Sequence, residues 1–198
     1  MHETPHESNF KNTYTYSRFS LNMSSRVADA KEGMDAFSTR RIALSAVLVA
    51  ITVVLSPFFI PLGTTKCFPA QHMINAISGV ILGPWYAASM ALATGIIRNV
   101  FGLGTVYAFP GGIPGALVVG LLHRYLRGTD YAALTEPLGT VVIGATLSAL
   151  FVAPWQGHAL TLSFFWIAFA ASSIPGSALG FIILKALRGV GFDRYFVQ

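Results

Sequence analysis

The chain has 198 residues, 54% of them hydrophobic and 11% charged, with a formal net charge of +5. Its mean hydropathy of +0.60 lies far above that of a water-soluble domain, which points to an integral membrane protein and against a soluble fold. The positive charge does not indicate nucleic acid, because the basic residues sit at the ends of apolar runs and not on one soluble face.

Residues 1–38 are polar and mixed in charge, and they contain no apolar segment of signal-peptide length. They read as a disordered cytoplasmic tail, with Met23 or Met34 as alternative natural starts. The eight acids lie in Glu3–Asp35 and at Asp130, Glu136 and Asp193, and none falls between Ala36 and Thr129. A lipid-embedded chain excludes them there because a carboxylate costs about 2.5–3.5 kcal/mol at mid-membrane on insertion scales. The single cysteine, Cys67, excludes an intramolecular disulfide and a multi-cysteine metal site.

Six apolar runs follow, at Ile42–Phe59, Pro69–Leu82, Trp85–Ile97, Pro110–Leu122, Leu138–Ala153 and Leu160–Leu187. The second to fourth are short for lone spans of about 20 residues and suit the inside of a bundle. Gly83-Pro84 ends the second run and seeds the third, since proline is tolerated in a first turn. The fold expected is an all-α integral membrane domain over residues 39–190, a six-transmembrane-helix bundle, with a short cytoplasmic tail at 191–198. Six crossings put eleven of the thirteen basic residues on one side, leaving Lys66 and Arg98 on the other. The positive-inside rule then makes both termini cytoplasmic in a multi-pass protein of the plasma (inner) membrane.

With that orientation, polar groups gather on the outer side: Lys66, Gln71, His72 and Asn75 at the second helix, Arg98 and Asn99 at the end of the third, and Tyr107 after it. Trp155, His158 and Trp166 lie around the fifth and sixth. Gln71 and Asn75, four apart, share a helix face. Snorkelling is the bland alternative for Arg98, interhelical bonding for Gln71 and Asn75, and an ordinary loop and aromatic belt for His158 and Trp155. Together they suit a small-molecule pocket with apolar walls and a few placed polar groups. No carboxylate is expected near it, so the ligand expected is small and neutral or anionic. His123 reads as an interfacial residue.

Gly111 and Gly115 allow close approach of a neighbour or ligand, and Pro175-Gly176 suggests a kink in the last helix. Ala43, Ala46 and Ala50 form a stripe of small side chains on the first helix, suited either to packing within the bundle or to docking of another membrane protein.

The AxxxA pair Ala46 and Ala50 on a six-helix membrane core is similar to that of the S components of energy-coupling factor (ECF) vitamin transporters. The stretches "FPAQHMINAISGVILGPWYA", "IIRNVFGLGTVYAFPGGIPGAL" and "HRY" resemble the ThiW family, over about Arg41 to Leu187. The resemblance implies a substrate-binding subunit, not an enzyme, that captures the thiamine precursor hydroxyethylthiazole from outside. It implies partnership with an ECF module, a transmembrane coupling subunit and two ATPases, docked on the alanine face; no cofactor is implied. The heterocycle could lie against Tyr107, Trp155 or Trp166. Its ring nitrogen could accept from His72, Asn75 or Arg98, and its hydroxyl could bond Gln71, Asn99 or His158. The loop Pro57–Phe68 would act as a lid. The alternatives are an S component for another precursor such as hydroxymethylpyrimidine, a passive channel, or a membrane enzyme with His72 or His158 as base. A channel is disfavoured by the apolar inner half, and an enzyme by the lack of an acid near either histidine.

Overall fold

A computed structural model describes residues 39–62, 65–158 and 161–191. The N-terminal tail, residues 63 and 64 of the expected lid, and the last seven residues lie outside the described residues. From Arg41 on, the chain packs as one unit.

Six helices are present among the described residues. Helix α1 covers 39–54. A short antiparallel hairpin follows, β1 (Ile60–Leu62) and β2 (Thr65–Cys67), with Ile60 opposite Cys67. Then come α2 (Pro69–Leu82), α3 (Pro84–Val100), α4 (Ala108–Tyr125), α5 (Asp130–Trp155) and α6 (Leu162–Gly189). Each apolar run of the sequence falls largely within one helix. Gly83, at φ 86, breaks α2 from α3, and Pro84 opens α3 where its missing N–H has no partner to lose. α5 and α6 are each long and apolar enough to cross a membrane.

Two boundaries differ from the sequence reading. α1 stops at residue 54, and part of the expected loop lid is an antiparallel hairpin. α5 begins at Asp130, eight residues before the expected Leu138. Thr129, in an extended conformation, caps it after Gly128, which takes a left-handed φ of 77. Its first turns, Asp130–Thr135, are of the tight i→i+3 kind. Wide i→i+5 turns follow at Leu138–Ala145 and Ser148–Val152. Pro137 sits between the two kinds, where a residue without an N–H fits a change in the hydrogen-bond ladder. The consequence is that Glu136 belongs to the helix and not to a loop.

α2 is the central element, buried almost continuously from Gln71 to Leu82. One apolar cluster joins its Ile74, Ile77 and Ile81 to Met90, Val119, Ala133 and Leu184. A second joins Tyr107, Ala145, Ala153, Phe165 and Phe169. Along α5 the first cluster ends at Ala133 and the second begins at Ala145, and the polar residues Glu136 and Thr140 fall between. The outward side chains are apolar: Val54, Val100, Phe151, Ile167 and Ile182 are all exposed. Such a surface suits lipid and not water.

At one end of the bundle Asp130 pairs with Arg188 at 2.7 Å and Lys185 at 3.8 Å, tying α5 to α6. At α4's end His123 is buried, not interfacial, with Nδ1 3.0 Å from the Thr129 carbonyl oxygen. α6 runs unbroken through Pro175, and a methyl at Gly176 would lie 2.7 Å from Cβ of His72. Likewise a methyl at Gly115 of α4 would lie 3.0 Å from the carboxyl carbon of Glu136. Gly115→Val is therefore expected to overpack the centre, costing about 1–3 kcal/mol and lowering the unfolding temperature of the detergent-purified protein. Gly189→Ala, with open space around it, should leave that temperature unchanged.

Candidate functional site

The sequence places Gln71 and His72 side by side in the first turn of α2, so they point in different directions from one level. Gln71 accepts a hydrogen bond from Nη1 of Arg98 on α3. His72 turns the other way, its Nδ1 2.7 Å from Oε1 of Glu136 on α5. A polar line thus runs across the bundle from α3 through α2 to α5.

Glu136 is 0% exposed, and its Oε1 is the focus of several donors. Besides His72, the Thr140 hydroxyl lies 2.6 Å away and the Asn75 amide nitrogen 3.5 Å away. Thr140, one helical turn on, also lies 2.8 Å from the Gly111 carbonyl oxygen, so its single proton serves one of two acceptors. Asn75 donates to the Gly112 carbonyl oxygen at 3.1 Å and links α2 to α4. The expectation that no carboxylate stands near the pocket is therefore overturned. So is the ground on which an enzyme was disfavoured, since His72 does have an acid partner. The signal available in the sequence was Glu136 and Thr140 at i and i+4 in "TEPLGT". Pro137 masked it by suggesting a later helix start.

Arg98 is also 0% exposed, so it does not snorkel. Its guanidinium carbon lies 3.6 Å from the centre of the Phe68 ring. That face-on cation–π contact, with the Gln71 bond, holds a cation that has no carboxylate partner among the described residues. The charges of Arg98 and Glu136 cancel if His72 is neutral, leaving a buried layer with separated charges and no net charge.

Above this layer is a cavity of about 30 Å³. Lys66, Cys67 and Phe68 of the hairpin region line it, with Gln71 and His72, Tyr107, Gly111 and Gly112 of α4, and Phe169 and Ser172 of α6. It has room for a water or two, whereas small-molecule pockets usually run from roughly 300 Å³ upward. A heterocycle enters only if the covering side chains yield. The hairpin is the covering element, anchored by Cys67 Sγ to the Ala168 carbonyl oxygen at 3.3 Å and by the Phe68 amide to the Ser172 hydroxyl at 2.7 Å. Burial raises the pKa of the Cys67 thiol.

Of the residues expected at the site, Gln71, His72 and Tyr107 line the cavity, and Asn75 and Arg98 brace it from behind. The others lie elsewhere. Asn99 donates to the carbonyl oxygens of Gly95 at 2.8 Å and Thr105 at 3.1 Å, which shapes the α3–α4 loop. His158 is exposed, and its Nδ1 lies 3.1 Å from the Tyr107 hydroxyl. Trp155 is 77% exposed and faces outward. Trp166 is also exposed and donates to the Thr146 hydroxyl at 3.3 Å, on the outside of α5. Neither tryptophan offers a stacking surface to the cavity; Phe68, Tyr107 and Phe169, in part missed from the sequence, supply the rings. Among the described residues no cluster of three His, Cys, Asp or Glu could hold a metal ion.

Ala43, Ala46 and Ala50 are exposed on α1. Beside them Ile42, Ala46, Val49, Tyr86 and Ala93 line an apolar groove of about 320 Å³ between α1 and α3.

Comparison with known proteins relates the chain to a family and to a fold. Residues 42–190 match the family model of ThiW, described as thiamine-precursor transporter protein. The fold matches a crystal structure of the S-component for biotin from an ECF-type ABC transporter, with a TM-score of 0.59 and 18% identity. That match covers 80% of this chain and 96% of the other. No curated protein matches.

Because Cys67 is the only cysteine and 2% exposed, thiol-reagent labelling reports on the hairpin. Labelling in native membranes or detergent should be at least about tenfold slower than after unfolding, since reaction requires the buried thiolate to reach solvent. Equal rates would show that the hairpin does not cover this site.

Proposed function

The chain belongs to the ThiW family of thiamine-precursor transporter proteins, and from that premise we propose that it captures hydroxyethylthiazole from outside the cell as the substrate-binding subunit of an ECF-type importer. It is a transport component and not an enzyme. In this reading all six helices cross the plasma membrane and both termini are cytoplasmic. The end carrying Arg41, Arg124, Lys185 and Arg188 faces inward, as the positive-inside rule requires. The cavity under the hairpin then opens outward.

The observation that carries the reading is the polar layer of Arg98, Gln71, His72 and Glu136 beneath a ring-lined cavity. Arg98 and Glu136 offset one another, so an uncharged ligand adds no unpaired charge to the buried site. Phe68, Tyr107 and Phe169 suit a flat heterocycle, and Gln71 and His72 suit its nitrogen or hydroxyl. The hairpin, most of the expected loop lid, moves aside to admit it.

A second reading, hydroxymethylpyrimidine, is favoured by one feature, the buried carboxylate of Glu136, which could accept from an amino group. Mass spectrometry of small molecules co-purifying with the protein, followed by calorimetric titration with both compounds, separates the two. Saturable binding of hydroxyethylthiazole is expected, and binding of the pyrimidine alone would overturn the first reading.

The ATPase module is a separate partner in this proposal, docked on the exposed alanine stripe of α1. The groove beside Ala46 gives the coupling subunit an apolar surface to fill. Ala46→Trp should leave ligand affinity within about twofold, because the side chain points away from the cavity, and should abolish uptake when the module is co-expressed. Normal uptake by that variant would place the docking face elsewhere.

A further inference from the structure

The polar layer contains atoms that the bundle leaves without partners. Nε and Nη2 of Arg98 and Oε2 of Glu136 are buried and unbonded. His72 lines the cavity with Nδ1 committed to Glu136, which leaves Nε2 as its atom for a ligand.

The protonation of His72 follows from what surrounds it. Oε1 of Glu136 meets His72 Nδ1, the Thr140 hydroxyl and the Asn75 amide, a set of donors that suits an ionised carboxylate. The imidazole therefore donates from Nδ1. A proton on Nε2 as well would give the buried layer a net positive charge, since Arg98 already offsets Glu136. The remaining charged group at the cavity, Lys66, is half-buried on the hairpin with its ammonium 4.6 Å from the Phe59 ring centre, and it does not contact the pair. A neutral His72 donating from Nδ1 leaves Nε2 with a lone pair.

We propose that Glu136 is a positioning residue that holds His72 in its Nδ1–H form, so that Nε2 accepts a hydrogen bond from the hydroxyl of an uncharged ligand. Orientation by a carboxylate behind the ring is a general way to fix which imidazole nitrogen donates and which accepts. The site so built selects for alcohols: a ligand without the hydroxyl leaves Nε2 desolvated and unpaired. The inference rests on the cavity being the substrate site, but not on which heterocycle fills it.

The test uses matched pairs on the full-length protein in detergent: hydroxyethylthiazole against 5-ethyl-4-methylthiazole, and hydroxymethylpyrimidine against its methyl counterpart. For whichever alcohol binds, the deoxy compound should bind about tenfold more weakly. His72→Asn keeps an amide donor for Glu136 but lacks the Nε2 acceptor, and should reduce that preference to below about twofold. Glu136→Met should do the same, whereas Glu136→Gln, which still accepts from Nδ1–H, should retain it within about threefold. Should Glu136→Met not fold, the His72→Asn ratio decides. A tenfold preference that persists in His72→Asn overturns the proposal. Pyrimidine binding with the preference intact supports it while overturning hydroxyethylthiazole as substrate. Hydroxyethylthiazole binding with no penalty for the deoxy compound does the reverse, and binding of neither alcohol overturns both.

Discussion

A carboxylate with no contact with water sits at the centre of this bundle, and the arrangement of the neighbouring helices follows from keeping it there. Glu136 meets a histidine from α2 and a threonine from its own helix, and the bare backbone of Gly115 on α4 makes room for it. Removing one of these donors leaves a buried acceptor unsatisfied, at a cost of about 1–3 kcal/mol or more. The wide turns of α5 begin just after Glu136, and Thr140 within them reaches both the carboxylate and α4. Local helix geometry and the polar contacts are one construction.

Arg98 is the counterpart on the other side of α2. Alone, a buried guanidinium stacked on one phenyl ring and bonded to one amide would be an unstable arrangement in an apolar bundle. With an ionised Glu136 and a neutral His72 in the same layer the net charge is zero, which gives a reason for a permanent cation within an apolar run. Two separated opposite charges with unbonded N–H and oxygen atoms give directional contacts without a net charge. Specificity in such a site comes from leaving the wrong ligand's partners unsatisfied.

Small residues serve two opposite ends in this fold. Gly115 and Gly176 face inward, where they bring α4 and α6 against Glu136 and His72. Ala43, Ala46 and Ala50 face outward, where they leave a smooth strip beside an apolar groove. In the proposed reading, binding and docking therefore occupy different surfaces. The hairpin joins α1 to α2, between the helix that carries the alanine strip and the helix that carries Gln71 and His72.

The limits of most helices were legible in the chain itself, because the cost of placing polar backbone and charge in lipid acts residue by residue. The gap in acids, the Gly83-Pro84 break and the placing of lysine and arginine at the ends of apolar runs are all features of this kind. So was the gathering of Gln71, His72 and Asn75, which share one turn of one helix. What only tertiary structure decided was direction. Trp155 and Trp166 both face outward, and for Trp155 the i→i+5 turns that precede it in α5 shift the face that later residues present. Glu136 looked like a loop residue before a proline. It became the centre of the polar layer because α5 starts eight residues earlier than its apolar stretch, and a carboxylate that hydropathy would exclude is accepted where donors from α2 and its own helix converge on it.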